Sequence, residues 1–209
     1  MELNNGGSCG CGKKHVCDVK KLIIEKGALA SLPSLLYEAG AEKPFLIMDE
    51  NTKKAAGDTV SDILKNAGIL FSSYVYETTE PLAPTEETFG RVMMFWDPSC
   101  DCIVAVGSGV INDVSKLVSR ASGRPYILVL TAPSMDGMVS PTSSMDVQSL
   151  KVSLPSAAVH SVVADIDVLA RAPVRMILAG FGDMLAKYVS VTEWKISHII
   201  TGEYYCEKI

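Results

Sequence analysis

The 209-residue chain contains no basic run and no interleaving of aromatic with basic residues, and its formal net charge is −5. That argues against nucleic acid as a partner. No apolar stretch reaches the roughly 20 residues that a membrane-spanning helix requires, because Lys, Asp or Gly interrupts every run. The first ten residues, MELNNGGSCG, have neither the basic start nor the apolar core of a signal peptide. No repeat and no low-complexity segment occurs. These absences lead to the expectation of a cytoplasmic protein with reduced thiols, no nucleic acid and no membrane. Histidine is scarce as well, with His15, His160 and His198 the only three.

Apolar residues, by contrast, make up 48% of the chain, enough for a core of one domain plus part of another. The stretch 102–132, CIVAVGSGVINDVSKLVSRASGRPYILVLTA, organises the rest. Ile103-Val104-Ala105-Val106 is too short for a helix and rich in β-branched residues, as expected of a strand buried on both faces. Gly107-Ser108-Gly109 turns the chain, and a helix follows with Val110, Val114, Leu117 and Val118 on one face. Gly123 closes that helix, and 126–130 is a second buried strand. A glycine turn at a helix N-terminus offers free N–H groups and a positive dipole end to a phosphate, or is simply a tight strand-to-helix turn. The spacing is not that of the commonest dinucleotide fingerprint.

Other segments fit an alternation of strands and helices. Strands are expected at 22–24, 45–48 and 69–76, and helices at 28–39 and after Asn51-Thr52, which can cap the latter. Another helix is expected from the Pro84-Thr85-Glu86-Glu87 start to about Trp96. A polar loop at 131–144 precedes further strands at 150–154 and 161–165. The fold class is therefore α/β, a doubly wound and largely parallel Rossmann-like sheet domain, followed by the start of an all-helical domain. The boundaries read as a Cys/Gly-rich tail over 1–18, a dinucleotide-binding domain over 19–172 and a helical region over 173–209. The last shows helical segments at 173–178 and 183–200 and a new start at Glu203. In such sheets ligands bind beyond the carboxyl ends of the strands, where Asp49, the turn 107–113 and the loop 131–140 converge.

Four further features have a plain structural reading. Cys9, Cys11, His15 and Cys17 offer four zinc ligands, but the C-x-C start is tighter than usual finger spacing, and a mobile glycine-rich tail is the simpler reading. Asp183 after Gly182 reads as an N-cap or first-turn acid with Lys187 as its i,i+4 partner. Asp136-Gly137 reads as a turn pair. Cys102 is simply a small core residue.

Four motifs in order carry a resemblance that covers the chain from about Lys21 onward: GSGVINDVSK (107–116), TAPSMDGMVSP (131–141), VVADIDVLARAP (162–173) and AGFGDMLAKY (179–188). The first resembles the GGGxxxDxxK signature of the iron-containing alcohol dehydrogenase and dehydroquinate synthase-like superfamily. The set together is similar to the glycerol-1-phosphate dehydrogenase family in its bacterial branch. Ser108 departs from the usual glycine, which is tolerable if that position avoids positive φ.

The resemblance implies an NAD(P)-dependent oxidoreductase interconverting dihydroxyacetone phosphate and sn-glycerol 1-phosphate. It implies NAD(H) or NADP(H) on the glycine turn, at Gly107, Gly109, Val110, Ile111, Asn112 and Asp113. Asp49 would hold the adenosine ribose, and Thr131, Ala132, Pro133, Ser134 and Ser140 would contact the cofactor. Asp136 and Asp183 would face the substrate, and Asp183 would be catalytic as a ligand of a divalent metal, zinc or nickel. The family's further histidine ligands lie beyond residue 209. His198 cannot join Asp183 on one metal, since fifteen residues along one helix is roughly 22 Å. The chain therefore reads as truncated. An unfinished helical domain would expose apolar surface and favour a homo-oligomer. Two alternatives stay open: a glycerol or other polyol dehydrogenase, which would ignore the phosphoryl group, and a non-catalytic NAD(P)-binding module.

Overall fold

The structure is a computed structural model and describes residues 9–13, 15, 17–77 and 80–208. Its elements in chain order are β1 (Lys21–Glu25), α1 (Leu32–Glu38), β2 (Pro44–Asp49), α2 (Glu50–Thr52), α3 (Asp58–Asn66), β3 (Ser72–Tyr76) and α4 (Glu86–Met94). Then follow β4 (Cys102–Gly107), α5 (Gly109–Ser122), β5 (Tyr126–Leu130), β6 (Thr142–Val147), β7 (Leu150–Pro155), β8 (Ser161–Asp165), α6 (Ile166–Leu169) and α7 (Val174–Thr201).

Six strands form one sheet in the order β1-β8-β5-β4-β2-β3, every pair parallel. The fold is thus the expected Rossmann-like α/β arrangement. Strand periodicity explains the two cores. Phe45, Ile47, Ile103, Ala105, Tyr126 and Leu128 point to one face and pack with Val92 of α4 and Ile111, Val114 and Val118 of α5. Their neighbours Leu46, Met48, Val104, Val106, Ile127 and Val129 point to the other face, under α1 and α3. Both faces are covered, so the central strands β4 and β5 are apolar throughout rather than alternating.

Several local expectations need correction. The 28–39 helix is a 3₁₀ turn (Ala28–Ser31) followed by α1, with Pro33 in the first turn, where its missing N–H leaves no bond unmade. Asp49, not Asn51-Thr52, caps the next helix. Its Oδ1 accepts from the Thr52 amide at 2.7 Å while Thr52 Oγ1 accepts from the Asp49 amide at 2.9 Å. The expected polar loop ends early, because residues 142–147 are β6, paired antiparallel with β7 apart from the main sheet. Their turn, Gln148-Ser149, has φ of 50° and 65°, the left-handed pair a tight hairpin demands, without the glycine that usually announces it. The two helices expected after Pro173 are one, α7, which runs through Gly180 and Gly182. No helix starts at Glu203. Gly202 ends α7 at φ 74°, and the chain folds back, with Trp194 Nε1 donating to the Tyr204 carbonyl at 2.7 Å.

α7 has no buried residue, and Leu178, Phe181, Met184, Leu185 and Tyr188 are exposed along it. No helix among the described residues is long and apolar enough to cross a membrane.

Asp97 joins three segments below the sheet. Its carboxylate accepts from Lys43 Nζ at 2.8 Å, Ser72 Oγ at 2.7 Å and Ser99 Oγ at 2.6 Å. Lys43 above all, then the two hydroxyls, hold its pKa far below the ordinary 3.8. A depressed carboxylate stabilises the fold fully above the unfolded value and loses that contribution as pH falls below it. The Tm difference between wild type and Asp97→Asn should be full at pH 6 and shrink as pH drops below about 3.8. Thermal melts across that range check this, and a pH-independent difference would refute it.

Candidate active site

β2 leads to β3 on one side and β4 leads to β5 on the other, so the winding direction reverses between the adjacent strands β2 and β4. A crevice opens beyond the carboxyl ends of the strands at such a reversal. Here it measures about 570 Å³ and takes in Asp49 from the end of β2, Thr52 of α2, Ser108, Val110 and Ile111 from the β4–α5 turn, and Thr131 and Ala132 from beyond the end of β5.

The turn is built for close approach. A Cβ on Gly107 would lie 2.5 Å from Ile111 Cβ, so glycine lets α5 seat against its strand, whereas the space around Gly109 is open. Ser108 has φ −133°, outside the region that needs glycine, so its side chain is accommodated. No side chain caps α5 and no acid lies in its first turn. Asn112 N donates to Ser108 O at 2.8 Å, which starts the helical ladder and leaves the N–H groups of Gly109, Val110 and Ile111 without intrahelical acceptors. Those N–H groups and the dipole end favour an anion. Arg171, Arg175 and Lys54 also line the crevice, and Arg171 Nε is steadied by the Asp167 carbonyl at 2.9 Å. Composition and spacing single out none of these three cations. For Arg171 a signal existed, since it lies within the 162–173 motif.

Not every residue expected at the site faces the crevice. Asn112 is buried, and its Oδ1 accepts from Tyr126 Oη at 2.5 Å in the core, where burial pushes the tyrosine pKa well up. Asp113 points toward the β6–β7 hairpin, accepting from Lys116 Nζ at 3.2 Å and from the Ser144 amide at 3.4 Å. Lys116, 1% exposed, also donates to the carbonyls of Gly137 at 2.8 Å and Thr142 at 2.9 Å. Burial raises the Asp113 pKa and lowers that of Lys116, against their mutual attraction. The i,i+3 pair is therefore a hydrogen-bonding clamp on the loop 137–142. Ser140 stands at the mouth of the hairpin, its hydroxyl 2.7 Å from Thr142 Oγ1.

Pro133, Ser134, Asp136 and Asp183 meet at a second place, where α7 crosses the loop after β5. An added Cβ on Gly180 would fall 1.9 Å from the Pro133 carbonyl oxygen, so the helix touches the loop backbone directly. One turn on, Asp183 Oδ2 accepts from the Asp136 amide at 3.3 Å. Lys187 pairs with Asp136 rather than with Asp183, and Asp183 sits within α7 rather than at a helix start. Asp136 raises the Lys187 pKa.

The donor set around Asp183 does not make up a metal site. It comprises one carboxylate beside an Asp136–Lys187 ion pair, while a metal site needs about three protein ligands. His198 contacts the Glu203 carbonyl and His160 contacts Ser161 Oγ at 2.9 Å, both away from Asp183. Among the described residues, three or more potential metal ligands gather only elsewhere, at Cys9, Cys11, His15 and Cys206. Cys17, expected in that group, instead packs against the core, and Cys206 takes its place.

Comparison with known proteins bears on this geometry. Residues 23–173 match the family described as iron-containing alcohol dehydrogenase. The chain is 32% identical over 204 residues to a glycerol-1-phosphate dehydrogenase [NAD(P)+] of Halalkalibacterium halodurans, covering 96% of this chain and 51% of that protein. It is also 32% identical over 200 residues to the protein of the same name from Geobacillus thermodenitrificans, covering 94% and 50%. The chain thus spans about half the length of the curated relatives it matches. Among solved structures, an alcohol dehydrogenase from Oenococcus oeni superposes with a TM-score of 0.71 at 18% identity, over 82% of this chain and 51% of that one, a likeness of fold.

Proposed function

This chain belongs to the iron-containing alcohol dehydrogenase family, and on that premise we propose that it forms the cofactor-binding part of an NAD(P)-dependent oxidoreductase interconverting dihydroxyacetone phosphate and sn-glycerol 1-phosphate. The observation that carries the reading is the crevice at the β2/β4 reversal, where the uncapped N-terminus of α5 faces an open, cation-lined space.

In this reading the N–H groups of Gly109, Val110 and Ile111 hold the pyrophosphate, with Arg171 or Arg175 balancing its charge. Asp49 accepts from an adenosine ribose hydroxyl, and Lys54, on the same wall, takes a 2′-phosphate, which accommodates either cofactor. Thr131 and Ala132 close the inner wall. The bound dinucleotide supplies hydride chemistry. Asp136 and Asp183, brought together by α7, would face the substrate carbonyl; Asp183 would supply one of the roughly three protein ligands that a divalent metal, zinc or nickel, needs, and the described residues around it do not complete that set. The phosphorylated substrate is preferred because the relatives that match over nearly the whole chain carry the name glycerol-1-phosphate dehydrogenase.

The test is dihydroxyacetone phosphate reduction by NADH and NADPH with zinc or nickel added, alongside isothermal titration of both cofactors. Cofactor binding with turnover that requires the phosphoryl group supports the assignment. Equal turnover of dihydroxyacetone would replace it with a polyol dehydrogenase. Binding without turnover would reduce it to a dinucleotide-binding module, and a folded protein that binds neither cofactor would overturn it.

A further inference from the structure

The segment before β1 and the turn after α7 meet in a cluster that the proposed reaction does not use. Cys9 Sγ lies 3.5 Å from Cys206 Sγ, Cys206 Sγ lies 3.5 Å from His15 Nε2, and His15 Nε2 lies 3.2 Å from Cys11 Sγ. All four ligand atoms lie within 4.8 Å of one another, and Cys206 is buried. A tetrahedral zinc ion with Zn–S of about 2.3 Å and Zn–N of about 2.0 Å would place its ligand atoms about 3.8 Å apart for two sulfurs and about 3.5 Å for sulfur and nitrogen. The three close edges, at 3.5, 3.5 and 3.2 Å, fall within about 0.3 Å of those values. We propose that Cys9, Cys11, His15 and Cys206 form a structural zinc site that ties the N-terminal segment to the far end of α7.

The surroundings suit thiolate ligands. Gly12, at φ 80°, turns the chain behind Cys11 so that the Lys13 amide donates to Cys11 Sγ at 3.4 Å. Tyr204 Oη donates to the same sulfur at 3.0 Å, and Lys13 Nζ lies 3.9 Å from the centre of the Tyr204 ring. Such outer donors orient a ligand and offset its negative charge. The carrier of Cys206 is itself fixed, because Trp194 holds the Tyr204 carbonyl and packs edge-on against Tyr205 at 4.8 Å. A Cys9–Cys206 disulfide would use two of the four groups and leave Cys11 and His15 without a role. With three sulfurs and a nitrogen the site has no open position, the mark of a structural rather than catalytic zinc. Binding expels the thiol protons to solvent and involves no redox change.

The consequence for the fold is a staple. A ligand pair separated by 197 positions links the chain that enters the edge strand β1 to the end of the helix that carries Asp183. The inference rests on the cluster alone and stands or falls independently of the oxidoreductase reading.

The experiment uses the whole chain, purified under reducing conditions and loaded with zinc or cobalt alone. Expected are a single bound metal per chain, a cobalt spectrum with thiolate charge transfer and tetrahedral d–d bands, and a rise in Tm on zinc addition. Zinc should protect Cys9, Cys11 and Cys206 from alkylation in the wild-type protein while Cys17 remains reactive, a readout that needs no variant to fold. Cys206→Ser should abolish metal binding and the Tm rise, whereas Cys17→Ser should leave both unchanged. A metal lost with Asp183→Asn but kept with Cys206→Ser would overturn the assignment. So would alkylation of Cys9 and Cys206 undiminished by zinc, or a Cys9–Cys206 disulfide in the reduced preparation.

Discussion

Gly180→Ala is expected to lower stability by about 1–3 kcal/mol, even though alanine is the better helix former. The reason is the 1.9 Å separation between an added Cβ and the Pro133 carbonyl oxygen. Neither partner is a flexible side chain, so α7 must lift from the loop, taking Asp183 away from the Asp136 amide. Gly182, two residues on, has nothing within 4 Å of an added Cβ. There the same substitution should stabilise by roughly 0.5–1 kcal/mol through helix propensity alone. Urea unfolding of the two variants measures opposite signs on one helix. Equal stabilisation by both would mean that α7 does not rest on the loop.

Lys116→Met should be the most damaging single change away from the crevice, costing about 3–5 kcal/mol. Methionine fills the volume, but the Asp113 carboxylate loses its cation and the carbonyls of Gly137 and Thr142 lose their donor inside the protein. Breaking a buried pair by removing one member leaves an uncompensated charge, which is worse than having no pair. Adding Asp113→Asn to Lys116→Met should therefore recover part of the loss, since the orphaned group is then neutral. Chemical denaturation of both variants tests the clamp. A loss below about 1 kcal/mol for Lys116→Met would show that the loop 137–142 is held by other means.

The contrast between these residues shows what a sequence reveals. The strands β2, β4, β5 and β8 were legible because burial on both faces forces continuous apolar runs, and the glycine at 107 marked the seat of α5. β7 was legible at 150–154, but its partner β6 and the turn between them were not, because Gln148 and Ser149 adopt the left-handed turn without the usual glycine or asparagine. The Asp113–Lys116 spacing was visible as a motif, yet only the register of α5 shows that it faces a loop backbone and not the crevice. The single helix α7 was hidden by its two glycines, which a propensity reading counts as breaks. The partnership of Cys206 with Cys9 had no sequence signal at all, being a contact across nearly the whole chain.

The most direct test of the central claim is an amide chemical-shift titration of the isotope-labelled chain with NADH. The account predicts saturable shifts centred on Gly109, Val110 and Ile111, extending to Asp49, Thr131 and Ala132, with Cys206 and the β6–β7 hairpin unmoved. Saturable shifts that leave the N-terminus of α5 untouched, or no shifts from a folded protein, would contradict it.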